Sequence, residues 1–121
     1  MPELPEVEYA ARVARDAVAG RTLTTLRALH AALARDGAVD AAQVLVGRRL
    51  IDVRRVAKWQ EFVFDDGAVL VVHFRMTGDW AVTDDAAVPR HARLELGFDD
   101  GRRLWLVDPR VLGRIAYIAP G

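Results

Sequence analysis

The first residues of the chain place a proline directly behind the initiator methionine and two glutamates close by. If Met1 is removed, Pro2 presents a free secondary amine, and an α-amino group has a pKa of about 8, well below that of a lysine side chain. An appreciable fraction of such an amine is unprotonated at neutral pH and can attack an aldehyde-like carbon to form an iminium ion. The N-terminus therefore could support covalent catalysis of the Schiff-base type, but a proline at an N-terminus is common and taken alone is more often structural.

Glu3 and Glu6 are spaced so that both carboxylates would lie on one face of a first helical turn. Either carboxylate could transfer protons beside the Pro2 amine. Acidic residues at a helix start are also favoured by the helix dipole alone. The spacing is therefore compatible with a reaction centre and with an ordinary helix start.

Three later stretches combine basic and apolar residues, and the first two also contain an aromatic residue. They are Arg54-Arg55-Val56-Ala57-Lys58-Trp59, His73-Phe74-Arg75-Met76-Thr77-Gly78 and Asp108-Pro109-Arg110-Val111-Leu112-Gly113. Taken alone, Lys58 is typical of a solvated surface strand and Met76 of a core position.

The elements that must position these residues are predicted as one helix and a series of strands. Residues 5–19 carry apolar side chains at steps of three and four and precede Gly20, which is typical of an amphipathic helix. Two Asp-Asp-Gly turns, at 65–67 and 99–101, predict hairpins. Residues 31–46 are predicted as a loop with a short helix at 40–46, and residues 84–91 as a loop. Strands are predicted over 21–29, 50–56, 59–64, 68–74, 92–98, 102–107 and 115–119.

This order predicts an α+β, mainly β fold: an antiparallel β-sandwich or flattened barrel with the N-terminal helix packed on it. Residues 1–121 are expected to form one domain. The formal net charge is zero, but the segment from Arg48 to Lys58 contains five basic residues and one acidic residue, Asp52. A local basic surface is therefore possible. With no cysteine and three scattered histidines, a zinc site is not expected. No apolar run is long enough for a bilayer, so a cytoplasmic protein without a membrane partner is expected, as a monomer.

The string Pro-Glu-Leu-Pro-Glu-Val-Glu after Met1, together with the three later stretches, resembles the N-terminal catalytic domain of the formamidopyrimidine-DNA glycosylase and endonuclease VIII family. These bifunctional repair enzymes remove oxidised bases and cut the strand. The resemblance implies base-excision repair by a DNA glycosylase with AP lyase activity, acting on double-stranded DNA with a damaged base or an abasic site. It implies Pro2 as the nucleophile, Glu3 as the acid and Glu6 as its assistant.

The resemblance also assigns the later stretches to DNA contacts. It implies that Lys58 contacts the damaged nucleotide and a flanking phosphate, and that Met76 fills the gap left by the everted base. Arg110 matches the arginine that hydrogen-bonds the orphaned partner base. Phosphate contacts are implied for His73, Arg54 and Arg55. Three positions depart from the family pattern: Arg75 stands at a usual glycine, Val111 at a second arginine and Leu112 at a phenylalanine wedge.

The resemblance covers only the family's N-terminal part. The helix-two-turn-helix module and the zinc finger that follow it in the family have no counterpart in residues 1–121, so no metal or cofactor is expected in this chain. Two other functions fit the sequence: a catalytically weak or inactive DNA-binding domain or fragment of the same family, and a generic β-sandwich interaction module. Retention of Met1 would turn the Pro2 nitrogen into a tertiary amide, which cannot form an iminium ion.

Overall fold

The computed structural model describes residues 3–120, so Pro2 lies outside the described residues. Within this range one long helix is followed by two short helices and eight strands. In chain order these are α1 Leu4–Val18, β1 Leu23–Ala28, α2 Ala31–Arg35, α3 Ala38–Leu45, β2 Leu50–Val56, β3 Trp59–Phe64, β4 Val69–His73, β5 Asp79–Thr83, β6 Ala92–Phe98, β7 Arg103–Val107 and β8 Arg114–Ile118.

The strands form two four-stranded antiparallel sheets that share one core. The strand order is β1-β6-β7-β5 in the first sheet and β2-β3-β4-β8 in the second. Alternate residues of both sheets point into the core, including Leu94, Leu104 and Leu106 from the first sheet and Phe62 and Leu70 from the second. The prediction of a mainly β, α+β fold with a helix packed on an antiparallel sandwich is confirmed.

Helix α1 lies against the second sheet through a face of small apolar side chains. Val7, Ala10, Ala11, Ala14 and Val18 are buried, at the helical spacing that the sequence indicated. Because most of these side chains are methyl groups, the helix backbone can approach β2 closely. The helix ends before Gly20, whose φ of +86° is the left-handed conformation common after helix ends. This packing fixes the position of the helix N-terminus relative to the sheets.

Both predicted Asp-Asp-Gly hairpins are confirmed. In the β3–β4 turn the Asp66 side chain accepts a hydrogen bond from the Ala68 N–H at 3.0 Å, and in the β6–β7 turn Asp100 accepts one from the Arg102 N–H at 2.9 Å. The third residue of each turn is a glycine with positive φ. Asp supplies a local hydrogen bond and glycine the left-handed backbone, which is why these turns were recognisable from sequence.

The structure corrects the prediction for residues 31–46 and adds a strand. Instead of a loop with one helix at 40–46, two helices form, α2 and α3, separated by Gly37 at a φ of 102°. The imidazole of His30 caps α2 by accepting a hydrogen bond from the Ala32 N–H at 3.0 Å. Strand β5 was not predicted, because Trp80 is its only buried residue and it is too short for a clear alternation.

No helix within residues 3–120 is both long and apolar enough to cross a membrane.

Candidate active site

Helix α1 presents its first carboxylates to solvent. Glu3 is the N-cap residue, and its main-chain carbonyl accepts a hydrogen bond from the Val7 N–H at 3.0 Å while its side chain makes no capping bond. Glu6 lies in the first turn and is also exposed. Because the carboxylate of Glu3 is not used for capping, it can exchange protons with a group bound at the helix N-terminus.

A cleft of about 540 Å³ separates the start of α1 from the turn that follows β4. Helix α1 lines it with Glu6 and Tyr9, and the opposite wall includes Met76 and Asp79. The structure therefore brings Glu6 and Met76, two of the predicted site residues, into one cavity. Tyr9 is 70% exposed at this cleft and was not singled out from the sequence.

The wall opposite α1 is a tight turn over residues 74–78, the Met76 turn. Met76 is 53% exposed at this turn. The Gly78 N–H donates a hydrogen bond to the Phe74 carbonyl at 3.2 Å, and a Cβ on Gly78 would lie 2.9 Å from the Phe74 Cα. Arg75, where the family pattern has glycine, adopts a φ of 60°. Arg75 thus adopts the left-handed conformation that glycine adopts most easily.

His73 ends β4 immediately before this turn, in a position that fixes its tautomer. Its Nδ1 accepts a hydrogen bond from the Arg75 N–H at 2.9 Å. Partial burial, then the charges of Arg75 and Lys58, lower the pKa of His73 below its ordinary value. A neutral His73 therefore keeps its proton on Nε2, from which it can donate a hydrogen bond to a phosphate oxygen.

Lys58 lies in the two-residue connection between β2 and β3. Ala57, the first residue of this connection, has a φ of 51°, which is a left-handed conformation at the place where such hairpins usually have glycine. The Lys58 side chain is half-buried, and its charge is close enough to His73 to affect the pKa of that imidazole. Two of the predicted phosphate ligands therefore share one end of the second sheet.

The two predicted phosphate-binding arginines are both paired with carboxylates. The Nε of Arg54 lies 2.9 Å from the Oε1 of Glu61, and the Nε of Arg55 lies 3.2 Å from the Oε1 of Glu8. Arg55 also donates from Nη1 to the Ala57 carbonyl at 3.0 Å. A phosphate would have to compete with these carboxylates.

The residues from Asp108 to Gly113, here the Arg110 loop, connect β7 to β8. Arg110 is exposed and Leu112 is half-buried. Val111 adopts a φ of 55°, which is unusual for a β-branched residue. The side chain of Arg110 is therefore accessible to solvent, whereas that of Leu112 is partly covered.

The buried carboxylate of Asp108 joins this loop to the Met76 turn. Asp108 is 1% exposed. Its Oδ1 accepts hydrogen bonds from the Thr77 hydroxyl and from the Arg110 N–H, the latter at 3.2 Å, and its Oδ2 accepts one from the Gly113 N–H at 2.7 Å. Sequence reasoning assigned no role to Asp108 or Thr77. The sequence held one local signal for this arrangement, an aspartate followed by proline. In such a turn the aspartate side chain commonly accepts a hydrogen bond from the N–H two residues later, here that of Arg110.

In the part of the chain that the structure describes, no three His, Asp or Glu side chains are grouped closely enough to hold a metal ion.

Comparison of sequences gives one family for nearly the whole chain. Residues 1–115 match the family described as "Formamidopyrimidine-DNA glycosylase N-terminal domain". A formamidopyrimidine-DNA glycosylase of Aromatoleum aromaticum is 43% identical over 122 residues, covering 98% of this chain and 44% of the relative. Another, of Rhizorhabdus wittichii, is 38% identical over 118 residues, covering 98% of this chain and 43% of the relative. The chain therefore spans less than half the length of these relatives.

Comparison of structures agrees with this result. A crystal structure of Lactococcus lactis formamidopyrimidine-DNA glycosylase, non-covalently bound to DNA containing an AP site, superimposes with a TM-score of 0.88 at 27% identity over 97% of this chain and 45% of that one. A structure of MutM in complex with DNA containing carbocyclic 8-oxo-G superimposes with a TM-score of 0.87 at 28% identity over 97% of this chain and 44% of that one.

Proposed function

The chain belongs to the formamidopyrimidine-DNA glycosylase family through its N-terminal domain, and on this premise we propose that it is a catalytic domain of base-excision repair. It excises oxidised bases from duplex DNA and cleaves the resulting abasic site through a Schiff base on Pro2. The observation that carries the proposal is the shared cleft of Glu6 and Met76 at the N-terminal end of α1. Glu6 supplies a proton-transfer group and Met76 a side chain suited to filling a base gap, and both line the cleft at the start of α1, the helix that Pro2 precedes in sequence.

The reaction begins with eversion of the damaged nucleotide, because neither C1′ nor the base is accessible within the stack. The nitrogen of Pro2 bonds to C1′ as the bond from C1′ to the base breaks, and the departing base takes up a proton. Opening of the sugar ring, with proton transfer to O4′ by Glu3, gives the iminium ion. Removal of a C2′ proton then expels the 3′ phosphate, and hydrolysis of the iminium ion releases the amine.

The amine must be unprotonated for this attack, and two local influences on its pKa oppose each other. The positive end of the α1 dipole lowers the pKa of a terminal amine, whereas the negative charges of Glu3 and Glu6 raise it. Glu6 is exposed, so solvent screens its charge strongly and weakens its effect on the amine.

Four residues are proposed to contact DNA around the lesion. Met76 occupies the gap left by the everted base, and Arg110 hydrogen-bonds the base that has lost its partner. Lys58 and His73 bind phosphates next to the lesion. Arg54 and Arg55 bind phosphate weakly, because a phosphate must displace the carboxylates of Glu61 and Glu8 from them.

A second candidate is a catalytically weak or inactive DNA-binding domain of the same family. The observation that favours it is the Arg110 loop, where Val111 replaces an arginine and the wedge position holds the half-buried Leu112. An aliphatic side chain stacks on bases less well than an aromatic one. Weaker insertion would leave fewer nucleotides everted and available for attack.

Borohydride trapping on a duplex with one abasic site separates the two candidates. Intact mass first establishes that Met1 has been removed. The chain with a free Pro2 should form a covalent adduct that withstands denaturing electrophoresis, and the same chain acetylated at its N-terminus should form none. Glu3→Gln should retain trapping on the abasic site but lose excision of an oxidised base. An abasic sugar already equilibrates with its ring-opened aldehyde, whereas an intact nucleotide needs the proton that Glu3 transfers to O4′. Binding without any adduct would support the second candidate.

A further inference from the structure

The carboxylate of Asp108 is almost fully buried and is satisfied only by neighbouring loops. A buried carboxylate is strongly destabilising unless hydrogen bonds compensate its desolvation. Its three donors are the Thr77 hydroxyl, the Arg110 N–H and the Gly113 N–H. One buried anion therefore determines the relative position of these three residues.

The three donors come from two segments that are distant in sequence. Thr77 follows Met76 in the turn after β4, which belongs to the second sheet, whereas Arg110 lies in the loop after β7, which belongs to the first sheet. Asp108, which follows β7, thus links the connection from β4 to β5 with the connection from β7 to β8. The main-chain carbonyl of Asp108 is also fixed, because it accepts a hydrogen bond from the Arg93 Nε at 2.9 Å.

Both loops hold a residue in a strained conformation next to the side chain that would enter DNA. Arg75 has a φ of 60° and precedes Met76, and Val111 has a φ of 55° and follows Arg110. Non-glycine residues persist in this region only where the surrounding structure overdetermines them. At Val111 the constraint comes from Asp108, whose carbonyl accepts a hydrogen bond from the Val111 N–H at 3.3 Å. At Arg75 it comes from His73, whose Nδ1 accepts from the Arg75 N–H at 2.9 Å, and the bond of Thr77 to Asp108 holds the same turn two residues later.

We propose that Asp108 is a positioning residue that couples Met76 to Arg110, so that the two side chains enter the duplex at a fixed separation. The effect on DNA binding rests on the proposed function, whereas the hydrogen-bonded link between the two loops is a property of the free protein. A site held by such a shared group keeps its geometry within the narrow tolerance that recognition requires. Loss of the link leaves each loop to insert independently.

Thr77 offers the mildest way to break the link. Thr77→Val removes the hydroxyl donor at nearly constant shape and leaves Asp108 with its two main-chain donors, whereas Thr77→Ser keeps the donor. Replacing Asp108 itself removes all three bonds and risks misfolding. The pair at position 77 therefore distinguishes loss of the hydrogen bond from loss of packing.

The first measurement uses the free protein and does not depend on DNA. Amide hydrogen exchange at Arg110 and Gly113 should accelerate at least about tenfold in Thr77→Val, the factor expected for losing one hydrogen bond to a charged group, and should stay unchanged in Thr77→Ser. Circular dichroism provides the check that both variants are folded. Unchanged exchange in a folded Thr77→Val chain would overturn the proposal.

The second measurement is a double-mutant cycle on an abasic-site duplex. With Thr77 present, Met76→Ala and Arg110→Ala should each weaken binding. The loss of affinity in the double variant should differ from the product of the two single losses by a factor of at least about threefold. In the Thr77→Val background the two effects should multiply independently, and Thr77→Ser should restore the non-additivity. Additive effects in the unsubstituted chain would refute the coupling. If the unsubstituted chain shows no preference for the abasic duplex, the proposed function fails instead, and hydrogen exchange alone decides the coupling.

Discussion

The indole of Trp59 stands edge-on to the imidazole of His73, with ring centroids 4.7 Å apart and an angle of 82° between the ring planes. The two residues are direct partners across the β3–β4 pair. This contact covers one side of the imidazole, and the Arg75 N–H occupies its Nδ1. The remaining nitrogen, Nε2, is therefore the one that is left to contact a ligand.

Acidification from pH 7.5 to 5.5 should reduce the stability of the protein through His73. Its pKa is lower in the folded chain than the ordinary 6.5, so the unfolded chain takes up the proton more readily. The contribution of neutral His73 is thus complete above pH 6.5 and is lost as the pH falls toward the folded-state pKa. Urea unfolding at the two pH values should show a smaller loss in His73→Gln. An equal loss in both chains would contradict this role.

Asp36→Asn should lower the free energy of unfolding by about 1–3 kcal/mol, as expected for losing charge-assisted hydrogen bonds at a buried acceptor. The carboxylate of Asp36 receives the forked guanidinium of Arg114, with the closest contact at 2.7 Å, and the Ile115 N–H at 3.0 Å. Burial alone would raise the pKa of Asp36, but the bonds to Arg114 and Ile115 outweigh it and lower the pKa.

The lowered pKa of Asp36 also gives this effect a pH window. Its contribution is present above the unfolded pKa of 3.8 and is lost as the pH falls through the folded-state value. Denaturant unfolding from pH 7 to pH 2.5 measures it, with Asp84→Asn, an exposed carboxylate between β5 and β6, as the matched control. A difference between wild type and Asp36→Asn that stayed constant down to pH 2.5 would exclude the ion pair as its cause.

Gly78→Ala should destabilise the chain by about 1–3 kcal/mol, since the new methyl group would overlap the backbone of the Met76 turn. The clash is with the Phe74 Cα at 2.9 Å, which cannot move without shifting the turn. Gly97→Ala is the comparison, because its closest contact, 3.2 Å to the Thr25 Cβ, is a smaller overlap and should cost less. Thermal unfolding of both variants tests the difference, and a Gly78→Ala chain as stable as Gly97→Ala would show that the turn adapts.

Leu112→Phe should strengthen binding to an abasic-site duplex, because an aromatic ring at the wedge position adds stacking worth about 1–3 kcal/mol per base. Leu112→Ala should weaken binding. Fluorescence anisotropy at fixed salt measures both, with an undamaged duplex as the reference. Equal affinities for all three chains would mean that residue 112 does not enter the duplex.

Local chemistry made much of the fold predictable. The alanine-rich face of α1, the end of the helix before Gly20 and the two Asp-Asp-Gly turns follow from properties of a few neighbouring residues. Helix α2 and strand β5 were missed because their stability comes from distant partners. Asp36 anchors the end of α2 to β8, and Trp80 in β5 donates a hydrogen bond to the buried Gln60 at 2.7 Å.

The site divides in the same way. Glu6, Lys58, His73, Met76 and Arg110 were recognisable because their stretches resemble a family. The structure places Glu6 and Met76 in one cleft and Lys58 near His73. The bridging role of Asp108 was not predictable, since its partner Thr77 lies 31 residues away. The pairing of Arg55 with Glu8 was likewise visible only in three dimensions, since the two residues lie 47 positions apart.

Peptide mapping of the borohydride-trapped adduct tests the central claim most directly. After digestion of the trapped chain and of the DNA, mass spectrometry should locate the remaining sugar fragment on the peptide that begins with Pro2, at the terminal nitrogen. A sugar fragment on Lys58, with the N-terminal peptide unmodified, would contradict catalysis by the terminal proline.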